Sequence, residues 1–244
     1  MIPLIARVTL RQLGKQRRMV LLVLVALVPV LISLIYRLAG DEDGATEFAA
    51  GILATFIVPL VLPLTALLIG TSVLGQDIEE GTIAYLLTKP LARWKVIVAK
   101  VLAAWVFTAG LALISVIGSS ALVLIGHDDL SLIPAFAVAS AAGALAYVAV
   151  FIALSLRFSR ALIIGLVYVF VWEAIIAQFI SGGRFLSIGA FTVGIANSLT
   201  SVSVEILDGS LGAAPSFVLL AILVAAGSLF SVRLLTRYQI SERV

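Results

Sequence analysis

The sequence contains no cysteine and only one histidine, His127, among its 244 residues. Without cysteine the chain cannot form disulfides, bind zinc through thiolates or use a cysteine nucleophile. The single histidine stands beside Asp128 and Asp129 in a polar stretch between apolar runs. A metal site built on these three residues would lack a further histidine or cysteine, so we expect no metal here.

Charged residues are also scarce, at 12%, whereas 62% of the residues are hydrophobic and the mean hydropathy is +1.23. A soluble domain averages roughly 25% charged residues. The apolar residues fall into runs of about 20, the length of a helix that crosses a hydrocarbon layer roughly 30 Å thick. Six runs predict an all-α integral membrane protein with six transmembrane helices: Met19–Leu38, Ala49–Leu74, Val96–Ile125, Pro134–Leu156, Ala161–Ile180 and Pro215–Leu235.

The 16 basic residues are divided unevenly between the two sides of these spans. Only Arg37 and Arg184 fall on one side, and the other 14 fall on the opposite side. Because short cytoplasmic segments carry the excess of Lys and Arg, we expect both termini in the cytoplasm. The net charge of +3 is then a topology signal, and we expect the lipid membrane rather than a nucleic acid as its partner.

Combinations of catalytic residues are missing as well. Serine catalysis needs a base, and no G-x-S-x-G pattern lies near His127. An aspartyl mechanism within the membrane needs two aspartates, and the six spans contain none. The phosphate-binding pattern G-x-x-x-x-G-K-[ST] is absent too. We therefore predict that the chain is not an enzyme and binds no cofactor of its own.

Residues 19–244 are predicted to form one transmembrane domain, which residues 1–18 precede. Residues 1–18 alternate apolar and basic side chains at helical spacing, which predicts an amphipathic interfacial helix; a basic, disordered tail is the alternative. The external segment 181–214 is glycine-rich and moderately apolar, as expected for short helices that dip into the membrane. Within the spans, candidates for kinks and for close helix packing are Pro29, Pro59 and Pro63, and Gly110, Gly118, Ala139 and Gly143, respectively.

The most informative stretch is the cytoplasmic segment 75–95, between the second and third spans. It opens with Asp77, Glu79 and Glu80, and its apolar run ends at Lys89 and Pro90. Carboxylates favour a helix N-terminus, cations favour a C-terminus and proline stops a helix, so this order predicts a short helix on the inner face of the membrane. Such a helix is suited to dock a cytoplasmic partner; an ordinary amphipathic loop helix is the alternative.

This segment resembles the membrane subunits of ATP-binding-cassette (ABC) transporters of the ABC-2 class. Their pattern is an acidic pair followed by Gly-Thr, a Leu-Leu-Thr-x-Pro run, a basic residue and a lysine that enters the next span. In this chain the pattern reads Glu79-Glu80-Gly81-Thr82, Leu86-Leu87-Thr88-Lys89-Pro90, Arg93 and Lys100. The resemblance is tight over this segment and architectural over the rest of the chain.

The resemblance implies the permease of a type V ABC exporter-like transporter, which moves a substrate across the cytoplasmic (plasma) membrane of a prokaryote. ATP and Mg²⁺ would then bind to a separate ATPase subunit. It implies two copies of that subunit and a second permease chain, forming a homodimer, since closed two-fold pairs are the common form. The residues that it assigns to the ATPase contact are Asp77, Glu79, Glu80, Gly81, Thr82, Tyr85 and Arg93.

Glu173 is the one acidic residue within a predicted span. An ion-coupled secondary transporter or a channel, the alternative function, would use mid-membrane charges of this kind to bind its ions. Glu173 lies about seven residues from the external end of its span, hence roughly 10 Å deep at 1.5 Å per residue. It is a candidate for the translocation pathway, or else a hydrogen-bonded structural or outward-snorkelling carboxylate.

Overall fold

The computed structural model describes residues 6–7, 9, 18–39, 44–79, 93–126, 129–176, 186–202 and 212–241. Within these residues the chain forms five long apolar helices and two shorter ones. The uninterrupted α-helices are α1 (Arg18–Leu38), α3 (Arg93–Leu124), α4 (Leu132–Arg157), α6 (Ile188–Leu199) and α7 (Ala213–Ser241). The other two helices, α2 and α5, each change their winding part-way.

Both α2 and α5 include a π-helical stretch. Helix α2 consists of Ala45–Gly51, the π-helical Ile52–Val61 and Leu62–Glu79. Helix α5 consists of Ala161–Val167 and the π-helical Tyr168–Ile176. The two stretches pack against each other. Pro59 lies in the first, where the wider turn accommodates a ring that would clash with a carbonyl in an α-helix.

The helix ends form two groups. At one end α1, α3 and α5 begin and α2, α4 and α7 finish; we call it the basic end, because Lys95, Arg157 and Arg160 lie there. At the opposite end, the guanidinium of Arg37 donates a 2.8 Å hydrogen bond to the carbonyl oxygen of Leu122, in the last turn of α3. A cation at a helix C-terminus is favourable, so this bond ties α1 to α3.

Helix α4 is the centre of the bundle and contacts α2, α3, α5, α6 and α7. Close packing depends on glycine: a Cβ on Gly143 of α4 would clash with Thr192 of α6, and one on Gly227 of α7 would lie 2.9 Å from the carbonyl oxygen of Ala149. Gly118 likewise lies against Val30 of α1, so the packing predicted for Gly118 and Gly143 is confirmed. The prediction of close helix packing is wrong for Gly110, since no described atom lies within 4 Å of a Cβ built there.

Helices α1 and α7 lie at the outside of the bundle. In the most apolar 18-residue stretch of each helix, only 22% and 17% of the stretch, respectively, is buried. Except for Arg37, Arg233 and Thr236, their exposed side chains in the described residues are apolar, among them Leu21 and Ile35 of α1 and Val218 and Leu229 of α7. Such surfaces are stable against hydrocarbon, and each helix satisfies its own backbone hydrogen bonds there. The described residues therefore have the surface of an all-α membrane protein.

Five helices are long and apolar enough to cross a membrane, and they coincide with the predicted spans one to four and six. The predicted fifth span, Ala161–Ile180, is helical from Ala161 to Ile176, and residues 177–185 lie outside the described ones. A span count of six therefore stays a prediction. In the predicted N-terminal helix only Ala6, Arg7 and Thr9 are described, and they are helical.

Candidate functional site: a coupling frame and a buried carboxylate

Helix α2 continues without a break from the second span to Glu79. Asp77 and Glu79 therefore lie in the last turn of a long helix, and their predicted place at the N-terminus of a separate short helix is wrong. The glycine before them, Gly75, weakens a helix by only about 1 kcal/mol and does not end this one. Residues 80–92, which include Glu80, Gly81, Thr82 and Tyr85, lie outside the described residues.

The helices that flank this segment are fixed to the rest of the bundle by two basic residues of α3. The ammonium group of Lys100, 3% exposed, donates a 2.7 Å hydrogen bond to the carbonyl oxygen of Val73 in α2. The guanidinium of Arg93 donates to the carbonyl oxygen of Leu235 in α7, at 3.4 Å. We call these contacts the coupling frame, because they join the end of α2, the start of α3 and the end of α7.

The second polar cluster surrounds Glu173, whose side chain is 2% exposed. Its Oε1 accepts hydrogen bonds from the hydroxyl groups of Tyr147 at 2.8 Å and Tyr168 at 2.9 Å. Its Oε2 accepts a 2.5 Å hydrogen bond from the hydroxyl group of Ser187. Helices α4 and α5 and the residue before α6 thus meet at one carboxylate. These three donors are neutral, so among the described residues the carboxylate is held by hydrogen bonds and not by an ion pair.

The same carboxylate caps the N-terminus of α6. The first four amides of a helix have no partner within it, and that end carries a partial positive charge. In α6 three of these amides have side-chain acceptors: Ile188 and Gly189 donate to Glu173 Oε1 at 3.0 and 3.5 Å, and Ala190 donates to Ser187 Oγ at 3.0 Å. Glu173 therefore stabilises a buried helix end, and the helix dipole in turn stabilises its charge.

The depth predicted for Glu173 is wrong. Its partner Tyr147 lies 15 residues from the start of α4 at the opposite end, about 22 Å at 1.5 Å per residue, and 10 residues from Arg157, about 15 Å. The carboxylate is thus near the middle of the bundle and does not snorkel outward. The prediction placed it too close to the surface because it counted residues back from Ile180, the predicted external end of the span.

The family described as ABC-2 family transporter protein matches residues 6–182, about seven-tenths of the chain. The chain belongs to the ABC-2 transporter family. The match includes segment 75–95 and Glu173, and it stops before Ser187 and α6. Among curated proteins, none matches the sequence of this ABC-2 permease.

Three partners of Glu173 in this ABC-2 permease were not anticipated from the sequence. Tyr147 and Tyr168 lie in apolar runs and had no signal other than being the tyrosines of their spans. Ser187 did have a recognisable sequence signal, because a serine directly before an apolar run is a common helix N-cap. Its hydroxyl both donates to Glu173 and accepts from the amide of Ala190.

At the opposite end, the hydroxyl group of Thr46 donates a 2.6 Å hydrogen bond to Asp129 Oδ2. The neighbours His127 and Asp128 lie outside the described residues. In the part of the chain that the structure describes, no three His, Asp or Glu side chains are grouped as a metal site.

Proposed function

We propose that this ABC-2 permease is the membrane subunit of an exporter and works with a separate ATPase subunit. The family match carries the proposal, because it includes the segment 75–95. The coupling frame supports it: a partner that displaces this segment pulls on α2 and α3, which Lys100 joins at Val73. Asp77, Glu79, Glu80, Gly81, Thr82, Tyr85 and Arg93 are the proposed contact residues. Arg93 would then have a second role, since it also contacts α7.

The assembly that we propose has two permease chains and two ATPase chains, with ATP and Mg²⁺ bound on the ATPase. Each permease has six spans in a type V exporter-like arrangement and crosses the plasma membrane of a prokaryote. The basic end faces the cytoplasm, because Lys and Arg are retained there. Both termini then lie in the cytoplasm. The ATPase approaches from the side on which segment 75–95 lies.

The test uses the permease purified together with its own ATPase. Glu80→Arg combined with Gly81→Trp reverses a charge and adds bulk at the proposed contact. We expect loss of the complex, or an ATP hydrolysis rate at least about tenfold lower, as for a lost interaction of about 1.4 kcal/mol or more. Unchanged association together with unchanged hydrolysis would show that this segment is not the contact.

A matched control makes the same two changes at the opposite end. Glu47 is exposed near the start of α2, and Gly212 is exposed before α7, where an added Cβ would make only ordinary van der Waals contacts. Glu47→Arg combined with Gly212→Trp should leave the complex and its hydrolysis rate as they are. A loss in this control would mean that the substitutions act through general damage to the fold.

An ion-coupled secondary transporter or a channel is the competing function. Glu173 would be its ion site, and the five hydrogen bonds to its carboxylate already occupy both oxygens. The deciding measurement reconstitutes the permease alone in vesicles and imposes a proton or sodium gradient. Flux of the ion through the isolated chain, without ATPase, would favour the competing function over ours.

A further inference from the structure

Helix α6 lies inside the bundle instead of on its surface. It begins beside Glu173 and Tyr147, near the middle, and runs for about 18 Å toward the opposite end. There Ser131 at the start of α4 forms hydrogen bonds with the hydroxyls of Thr200 at 3.1 Å and Ser201 at 3.0 Å. Along its length α6 packs against α4, α7 and the π-helical stretch of α2. It therefore fills the half of the bundle away from the basic end.

The two ends of α6 are held differently. Its N-terminus is bound by a buried carboxylate, where water does not compete and hydrogen bonds to charge are strong. Its C-terminus is bound by neutral hydroxyls, of which that of Ser201 is on an exposed residue. Glu173 is thus the strong attachment of α6, and the other end yields more easily.

A mechanical route connects this attachment to the coupling frame. Glu173 lies in the π-helical stretch of α5, which packs against the π-helical stretch of α2. Helix α2 then continues to Glu79, which lies within segment 75–95. A π-helical turn has poorer hydrogen-bond geometry than an α-helical one, and such stretches often occur where a helix must change shape. A displacement of α2 at the basic end therefore reaches the part of α5 that holds α6.

We propose that Glu173 is a positioning residue that anchors the N-terminus of α6, and that α6 is a gate helix that moves relative to α4 during ATP-driven transport. The second half of this statement rests on the proposed function above. The first half is a property of the permease alone. Each half has its own experiment, so one can fail while the other stands.

Thiol labelling tests whether Glu173 anchors α6. The permease has no native cysteine, so only an introduced thiol in it can be labelled. A single Thr192→Cys variant, fully buried on α6, is treated with a membrane-impermeant maleimide. Adding Glu173→Ala should raise its labelling rate about tenfold, as expected when one anchoring interaction is lost. The control thiol is Ser140→Cys, equally buried but on α4, and its labelling should stay within about twofold. Unchanged labelling on α6 would overturn the anchor.

A conservative variant covers the case in which Glu173→Ala fails to fold. Glu173→Gln keeps an acceptor for the Ile188 amide and places an amide group toward Ser187. Its labelling rate at Thr192→Cys should lie between those of the parent and Glu173→Ala. If Glu173→Gln raised the labelling rates of both thiols equally, Glu173 would support the fold in general and would not position α6.

Movement of α6 is tested in the complex with the ATPase, using ATP and Mg²⁺ as the only ligands. ATP should increase labelling of Thr192→Cys about fivefold or more while Ser140→Cys stays constant, which corresponds to a shift between two states. ATP-independent labelling of α6 would overturn the gate. If the ATPase does not bind the permease at all, it is the proposed function that fails, and the anchor result is unaffected.

A cross-link gives the converse test. Gly143→Cys with Thr192→Cys joins α4 to α6 where the two helices touch, and oxidation should lower ATP hydrolysis by the complex about tenfold, reversibly with a reductant. Val30→Cys with Gly118→Cys is the control, since a Cβ on Gly118 would lie 3.8 Å from that of Val30, a normal disulfide spacing. It joins α1 to α3 and should leave hydrolysis unchanged. Full activity of the cross-linked α4–α6 pair, or equal loss in the control, would contradict the gate.

Discussion

The basic end and the centre of this bundle use polar side chains in opposite ways. At the basic end Lys100 and Arg93 donate to backbone carbonyls of neighbouring helices and flank a segment whose proposed partner is another chain. At the centre Glu173 accepts from five neutral donors, all of which belong to the same chain. Substitutions at the centre should therefore change the stability of the isolated permease, whereas those at the basic end should act mainly in the complex.

The largest effect is expected at the centre, for Glu173→Ala. It leaves three hydroxyl groups and two helix amides without their acceptor in a buried site, so the free energy of unfolding should fall by about 3 kcal/mol. Thermal unfolding of the isolated permease in detergent measures it. Glu47→Ala, on an exposed residue, is the control and should change little. Equal stability of the two variants would remove the contrast between centre and surface.

Next in size is Gly227→Ala, which tests backbone packing at the centre without any polar change. The new methyl group would meet the carbonyl oxygen of Ala149 at 2.9 Å, and a helix backbone cannot move away cheaply. We expect a loss of about 2 kcal/mol in the same unfolding measurement. Gly110→Ala has open space around its Cβ and should be neutral or slightly stabilising, because alanine favours helices. The reverse order would mean that α4 and α7 do not pack as described.

Lys100→Met sharpens the comparison from the basic end. It removes a charged hydrogen bond to Val73 and should lower stability by about 1.5 kcal/mol. If the coupling frame transmits force from the proposed ATPase, the same substitution should lower ATP hydrolysis by the complex more than the loss of stability alone would. Lys95→Met is the matched control, since that ammonium lies 5.6 Å from the centre of the neighbouring Trp94 ring, on the same helix. If both variants hydrolysed ATP alike, Lys100 would have no special part in coupling.

The smallest effects are expected for Tyr147→Phe and Tyr168→Phe. Each removes one of five donors and leaves the carboxylate bound by the others, and interhelical hydrogen bonds in membranes average about 0.6 kcal/mol. The double variant should lose more stability than the two single variants together, because only the amides of Ile188 and Gly189 would then donate to Oε1. Unfolding of the two single variants and the double variant completes the cycle. Simple additivity would indicate that the two hydroxyls act independently.

Much of the fold was predictable because hydropathy reports the spans directly. The fourth span was predicted as Pro134–Leu156 and observed as Leu132–Arg157, and the external segment does hold a helix that enters the bundle. The Glu173 cluster was not predictable, because its partners on α4 and before α6 are 26 and 14 residues away and meet it only through tertiary packing. Local charge rules also failed at Asp77 and Glu79, where the continuing span outweighed the preference of carboxylates for helix starts.

The capping of α6 has an electrical consequence. The positive end of the α6 dipole offsets part of the charge of the Glu173 carboxylate across a 3.0 Å contact, and withdrawal of α6 would remove that contact in a site where a poorly solvated charge is strongly disfavoured. The hydroxyls of Tyr147 and Tyr168 would stay with the carboxylate, and water molecules would replace the Ser187 hydroxyl and the two amides that leave with α6. Hydration therefore favours withdrawal of α6, and the half of the bundle away from the basic end would then open as a water-filled vestibule.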